Sequence, residues 1–303
     1  MQPVWFRPNG FFFSFDNVGV MTTMPRHWFD SKESTTMPID DRAALFGDSC
    51  FTTIAVSQGL PEFLDAHWRR LQESVERLKI ASVDWSALRH DIARACDGVS
   101  QAVLRVMISR GQSASGYRVP ASIQSHRYLS LRDWPEMVNS WAENGIAVRH
   151  CTARLSQHAL LAGLKHGNRL EQILARAEWH DDSFAEGLMC DQDGFLIEGT
   201  CANLFFVDQH GVLCTPSLHM SGVAGVMRSM VLADAELQGL SVQIADFMPD
   251  ILQTAREVFM TNCVIGVVPV TRVAEQTFPI GALTRQLQQR LIAPLRQQRN
   301  SSP

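Results

Sequence analysis

In CFTTIAVSQGLPEFL, Phe51, Thr53 and Ala55 alternate with Thr52, Ile54 and Val56, which predicts a strand, and Gln58-Gly59 supplies a hairpin turn after it. The period then changes. Leu64, Trp68, Leu71, Val75 and Leu78 recur at spacings of four and three, the signature of a helix with one apolar face, for which Asp65 is the expected N-cap. A second helix is predicted over residues 85–96, a buried strand over 103–111 ending in a loop, and another strand over 127–135. These elements make an α+β half of roughly a hundred residues.

A new series begins after ENGIAVRHC. The stretch LLAGLKHGNRLEQILARAEW passes from an apolar, glycine-punctuated segment into an amphipathic helix. Asp193-Gly194 marks a turn between two strand-like runs, and the segment from Asp208 to Gly211 marks another. A glycine pair in SGVAGVMRSMVLADAELQG feeds a helix expected to turn Val226, Met230, Ala233 and Leu237 inward. EVFMTNCVIGVVPV is expected to close the sheet, and LTRQLQQRLIAPLRQQ to form a final amphipathic helix. Residues 1–23 lack clear periodicity and stand outside the fold argument as an extension. The expected division is an N-terminal α+β domain over 24–145 and a C-terminal domain over 146–303.

Composition narrows the function classes. With 303 residues, 46% hydrophobic and 19% charged, the chain can bury one large core or two moderate ones, which excludes a disordered or fibrous protein. A net charge of −4 gives no broad positive field, so neither nucleic acid nor an anionic membrane is an expected partner; anionic small molecules remain open through local arginines. Seven cysteines, odd in number and without a C-x-x-C pair, argue against a disulfide scaffold and against a zinc site, and fit a reducing cytoplasm. No signal peptide is read at the start, and no run approaches the roughly 20 apolar residues of a membrane span.

Five features carry candidate chemistry. A lysine normally stays in water, but Lys165 lies among Leu160, Leu161 and Leu164, where its charged form is disfavoured and a free amine can form a Schiff base. Glu198, near the end of FLIEGT, is either an exposed strand carboxylate or a partner for a pyridine nitrogen. Gly222 and Gly225 open a helix at Val226 and Met227, where free backbone amides can meet an anion. Arg70 is a solvated helix arginine or a bidentate phosphate ligand. TNCV, Thr261 to Val264, offers a hydroxyl, an amide side chain and backbone amides at a strand end.

In order, H-x-x-R-L (His67 to Leu71), K-x-x-N (Lys165 to Asn168), E-G-T-x-x-N-L-F (Glu198 to Phe205), G-V-x-G-V-x-R (Gly222 to Arg228) and V-F-M-T-N...P-V (Val258 to Val270) resemble the fold type IV pyridoxal-phosphate enzymes. That family holds branched-chain and D-amino-acid aminotransferases and the aminodeoxychorismate lyases, and the likeness runs from about Asp41 to Pro294. H-G-N-R-L-E-Q after the lysine most resembles the lyase branch, since aminotransferases more often carry L-N-Y-x-x-N-x-x-A there.

The resemblance implies an α+β fold with a smaller N-terminal domain and a larger mixed-sheet C-terminal domain, pyridoxal 5'-phosphate as cofactor, and a homodimer. It implies that Lys165 holds the cofactor, Glu198 pairs with its ring nitrogen, and Arg70 binds its phosphate with the amides of Val226 and Met227. Asn262 and Cys263 fall at further phosphate-ligand positions; a thiol is a poor donor, so a contact from Cys263 is assigned to backbone. Asn203 is expected to shape the turn or touch the ligand. The implied activity is conversion of aminodeoxychorismate to 4-aminobenzoate and pyruvate, with Arg105 and Arg110, and less specifically Arg118 and Arg169, as candidate carboxylate ligands. An aminotransferase of the same fold is the alternative. A catalytically silent binding protein is disfavoured because the lysine, glutamate and phosphate-site residues occur together. Nucleotide binding through SGVAGV is disfavoured because G-x-G-x-x-G is missing and no parallel βαβ unit is expected around it.

Overall fold

The computed structural model describes residues 26–113 and 116–297, so the expectation for residues 1–23 lies outside the described residues. The first half builds an antiparallel sheet from β1 (Arg26–Phe29), β2 (Lys32–Glu33), β3 (Ser49–Ser57), β4 (Leu60–Pro61), β5 (Gln101–Ser109) and β6 (His126–Arg132), in the order β2-β1-β6-β5-β3-β4. The predicted hairpin joins β3 to β4, with Gln58 and Gly59 both at positive φ, 50° and 75°. Helix α1 (Arg42–Phe46) precedes β3, while α2 (Leu64–Arg77) and α3 (Trp85–Cys96) bury Leu71, Leu88 and Ile92 in a core with Ile54 and Leu104. Asp65 is not the N-cap of α2. That place is held by Phe63 at φ 52° with no side-chain cap, and Asp65 sits in the first turn, where a carboxylate suits the helix dipole.

The second sheet comprises β7 (Ile146–Leu155), β8 (Glu186–Asp191), β9 (Leu196–Gly199), β10 (Asn203–Val207), β11 (Leu213–Pro216), β12 (Val242–Ala245), β13 (Glu257–Asn262), β14 (Gly266–Val273) and β15 (Gln276–Thr277). Strands β10, β13, β14, β7, β8 and β9 form a closed ring, because β9 pairs back onto β10 through Glu198 and Asn203. The barrel seam therefore falls at two of the residues that matter chemically. Strand β13 lies between β10 and β14 in the middle of the sheet, so it does not close it.

Two further expectations change. α6 (Val226–Leu237) buries Val226, Met227, Val231, Asp234 and Ala235, whereas Ala233 and Leu237 face solvent. β11 and β12 pair in parallel on either side of α6, so a parallel βαβ unit does follow the glycine turn, although it lacks the nucleotide fingerprint. Val138 of α4 (Met137–Asn144) belongs to the barrel core, and Arg285 donates to the Ala142 and Glu143 carbonyls. α5 (Leu170–Arg176) covers β7, and the C-terminal helix runs as α7 (Ala282–Leu287), a π turn and α8 (Ala293–Gln297). Among the described residues no helix is long and apolar enough to cross a membrane.

Candidate active site

Lys165 is clamped by main chain on both sides. Its carbonyl accepts the Phe51 amide of β3 at 2.9 Å, and the Gly167 amide donates to the Ser49 carbonyl at 2.8 Å. Gly167 has no room for a side chain, since a Cβ would lie 2.7 Å from the Gly47 carbonyl oxygen. On the other side Gly163 exchanges hydrogen bonds with the glycine turn, donating to Gly222 and accepting from Ala224, each at 2.9 Å. The lysine thus stands where the first sheet meets the barrel, with Nζ 4.8 Å from the Phe51 ring centroid.

Glu198 comes from the barrel seam. It is 5% exposed, and its Oε2 accepts the Val223 amide at 2.9 Å and Asn203 Nδ2 at 3.3 Å. Asn203 also donates to the Val223 carbonyl at 2.8 Å, tying the seam to the glycine turn, and it lines the cavity described next. Gly222 at φ +84° is forced here: a Cβ would sit 2.7 Å from Ile197 and from Leu218, and 3.4 Å from the Glu198 carboxyl carbon.

These parts wall one cavity of about 430 Å³, inside the roughly 300–1,000 Å³ range of ligand sites. Lys165, Glu198, Arg70, Val226, Asn262 and Cys263 all line it. Its charged lining is three cations, Arg70, Lys165 and Arg169, against the one carboxylate of Glu198. Burial, with Arg70 nearby, pushes the Lys165 amine well below its ordinary range against the opposing pull of Glu198. Burial likewise raises Glu198, opposed by the Val223 amide, Lys165 and Arg169. The cavity is an anion acceptor holding an amine that deprotonates readily.

One end is built for a doubly charged group. α6 starts there with Gly225 as N-cap and no side-chain cap on its first amides, of which that of Met227 meets the Cys263 sulfur in the cavity wall. Arg70 donates to Thr52 and has a buried Nε without partner; Thr261 Oγ1 is also buried without partner. The Met227 side chain packs in the core, so only its amide can serve a ligand. Asn262 uses its side chain on the turn, accepting from Val264 and Ile265 at 2.9 Å and donating to the Cys201 carbonyl at 3.1 Å, so that side chain is committed to the fold. Burial raises the Cys263 thiol, so it stays protonated and is no anion ligand either. Helix-start amides without a side-chain cap, an under-bonded guanidinium and an under-bonded hydroxyl fit a phosphate monoester.

Two expected substrate ligands lie elsewhere. Arg110 is 8% exposed and committed to Asp48, at 2.7 and 2.9 Å, and to the Lys79 and Leu78 carbonyls, so it is a structural cation. Arg105 stacks at 4.0 Å on Phe51 and does not line this cavity, while Arg118 is exposed. Arg169 does line it. Glu186 was not anticipated: its carboxylate accepts from the amides of Gly187, Thr200 and Cys201, from the Thr200 hydroxyl, and from the Cys201 thiol at 2.9 Å. It thereby organises the turn following Glu198. No sequence signal marks it, since its partners lie on a turn about fourteen positions on.

A lysine and a buried carboxylate across one phosphate-ready cavity, at the seam of a mixed barrel, define a chain of the class IV amino-transferase family, whose profile matches residues 49–273; this chain belongs to it. The family uses pyridoxal 5'-phosphate. The aminodeoxychorismate lyase of Vibrio harveyi is 38% identical over 266 residues, 86% of this chain and 97% of that one. The solved 4-amino-4-deoxychorismate lyase from Pseudomonas aeruginosa superposes with a TM-score of 0.84 at 40% identity, covering 88% of this chain and 97% of that one. A hypothetical aminotransferase from Mycobacterium tuberculosis, solved in a PLP-bound form, shares the fold at TM-score 0.76 and 16% identity, covering 89% of this chain and 99% of that one.

Proposed function

We propose that this chain is a pyridoxal-phosphate-dependent lyase that splits 4-amino-4-deoxychorismate into 4-aminobenzoate and pyruvate. The observation that carries the reading is the single cavity walled by Lys165, Glu198 and Arg70. The choice of lyase over aminotransferase rests on the two lyase relatives and on H-G-N-R-L-E-Q after the lysine.

In this reading Lys165 holds the cofactor aldehyde and Glu198 faces its ring nitrogen. Arg70, the amides of Val226 and Met227, the Thr261 hydroxyl and the main chain at Asn262 and Cys263 receive its phosphate. When bound, the cofactor supplies an electron sink at the amine-bearing carbon of the substrate. Lys165 is the base held beside that carbon, and burial, which lowers its amine to about 8, brings the unprotonated form within reach near neutral pH. It removes the proton there; the C–O bond to the enolpyruvyl group then breaks, the ring becomes aromatic, and the lysine ammonium returns a proton to the departing enolpyruvate, which leaves as pyruvate. Glu198 must stay ionised through this sequence. The Val223 amide, Lys165 and Arg169 partly oppose the burial that raises it to about 7, and a further cation facing it in the cavity would hold it ionised.

The chain acts as a homodimer in this reading, because Leu160, Leu170, Ile173 and Leu174 leave an apolar surface 76, 71, 60 and 64% exposed beside the lysine segment. Sedimentation of wild type against Leu174→Glu tests that. Seven free cysteines support a reducing, cytoplasmic setting. For the reaction itself, purified holoenzyme is incubated with aminodeoxychorismate and no amino acceptor, and separately with D- or branched-chain amino acids plus 2-oxoglutarate. Release of 4-aminobenzoate in the first mixture supports the lyase; amino transfer in the second with none in the first refutes it.

A further inference from the structure

Arg169 is the cavity cation that the cofactor reading leaves without a task. It lines the main cavity together with Gln172, and both residues also line a second cavity of about 310 Å³ that contains His158 and His166, so Arg169 stands in the wall between the two. Among the described residues Arg169 has no ion pair. Its one hydrogen bond runs from Nη2 to His166 Nε2 at 2.5 Å, and its Nε is buried without a partner, as is Gln172 Oε1. The carboxylate next along the chain, Glu171, is engaged by the Ser156 amide and hydroxyl. A guanidinium carries five donors in a rigid fork, so most of its capacity is without a partner among the described residues. Leaving such a group under-bonded in a half-buried wall is costly unless a ligand completes it.

The two arginines of the cavity are not equivalent. Arg70 shares its surroundings with the Met227 amide and Cys263, which puts it at the phosphate end. Both arginines act electrostatically on Lys165, but of the two only Arg169 also acts on Glu198, which puts it on the carboxylate side of the lysine. We propose that Arg169, aimed by the lone pair of His166, is the residue that recognises a carboxylate of the substrate. The proposal rests on the lyase reading for the identity of the substrate and on the geometry alone for the site. His166 is a positioning residue here: with its Nε2 as acceptor it must be neutral, and burial, with Arg169 beside it, lowers its pKa to about 4, so it remains an acceptor throughout the physiological range.

The test is binding of 4-aminobenzoate to the holoenzyme, which does not require turnover. Wild type, Arg169→Gln, Arg169→Lys, His166→Phe and His166→Gln are titrated calorimetrically, each with its bound-cofactor absorbance recorded first. Removing a buried charge-assisted contact is expected to weaken binding about tenfold to a hundredfold in Arg169→Gln, with Arg169→Lys recovering part of the loss. 4-Aminobenzamide, the same ring without the charge, should bind wild type and Arg169→Gln alike. His166→Phe should weaken 4-aminobenzoate and His166→Gln, which keeps an acceptor, should restore it. Equal 4-aminobenzoate affinity in wild type and Arg169→Gln overturns the proposal, and so does a loss explained by missing cofactor absorbance. The lyase reading fails separately, in the product assay.

Discussion

Gly225 and Asn203 should be coupled, and the coupling can be worked from the structure. A Cβ at Gly225 would fall inside 3.0 Å of Asn203 Oδ1, with Asn203 Cγ at 3.3 Å and Arg228 Cβ at a comfortable 3.7 Å. The backbone itself does not forbid alanine, since φ at Gly225 is −68°. Gly225→Ala must therefore displace the Asn203 side chain, which donates to the Val223 carbonyl at 2.8 Å and to Glu198 at 3.3 Å. The first bond is worth roughly 1 kcal/mol, and the second, long but to a carboxylate, roughly 1–2 kcal/mol, so Gly225→Ala should cost about 2–3 kcal/mol. Asn203→Ala should cost a similar amount alone. In the Asn203→Ala background the obstacle is gone, and the added methyl at position 225 should be nearly neutral: the small gain from a stiffer unfolded chain offsets the poorer N-cap. Urea unfolding of the four proteins measures this as an interaction energy of about 2–3 kcal/mol. If Gly225→Ala costs as much with Asn203 absent as with it present, the brace between barrel seam and helix start is not what holds Glu198.

Glu186→Gln should destabilise the fold by roughly 2 kcal/mol or more, because an amide cannot accept all the donors that now converge on the carboxylate, and should weaken cofactor binding through the turn following Glu198; melting curves with and without cofactor read both effects. Asp48 gives a pH signature. Burial raises its carboxyl, but hydrogen bonds from Arg110 and Arg42 outweigh that and hold it below 3.8, so its contribution is full above the unfolded carboxylate range and fades as pH falls through the lowered folded value. The stability gap between wild type and Asp48→Asn should accordingly be constant above about pH 5 and narrow below 3.8, by urea midpoints against pH.

What the sequence made legible follows from how local each signal is. The β3 hairpin, helix α3 and the turns around Gly194 and Gly211 were readable because period and turn chemistry decide them within a few residues. The inner face of α6 was not. Asp234 is turned inward to meet Arg290 at 2.7 Å, a partner 56 positions away, and that rotation leaves Leu237 83% exposed. β12 escaped notice because Val242 and Ile244, 38 and 52% exposed, carry no buried alternation. In the site, Lys165, Glu198 and Arg70 were marked by motif and do meet in one cavity. Arg110 looked equally available, and only the fold reveals Asp48 beneath it. The bracing carboxylate of Glu186 and the His166–Arg169 pair depend on chain segments brought together at the barrel end, which no linear spacing encodes.

The central claim is that a covalent electrophile sits on one lysine in a carboxylate-backed cavity, and the chain is well suited to testing it, having only three lysines, Lys32, Lys79 and Lys165. Reduction of the holoenzyme with borohydride, followed by peptide mass analysis, locates the bond directly. The mass of the reduced cofactor on the peptide containing Lys165, and its loss in Lys165→Ala, is the predicted result; label on Lys32 or Lys79, or on none of the three, would contradict the account.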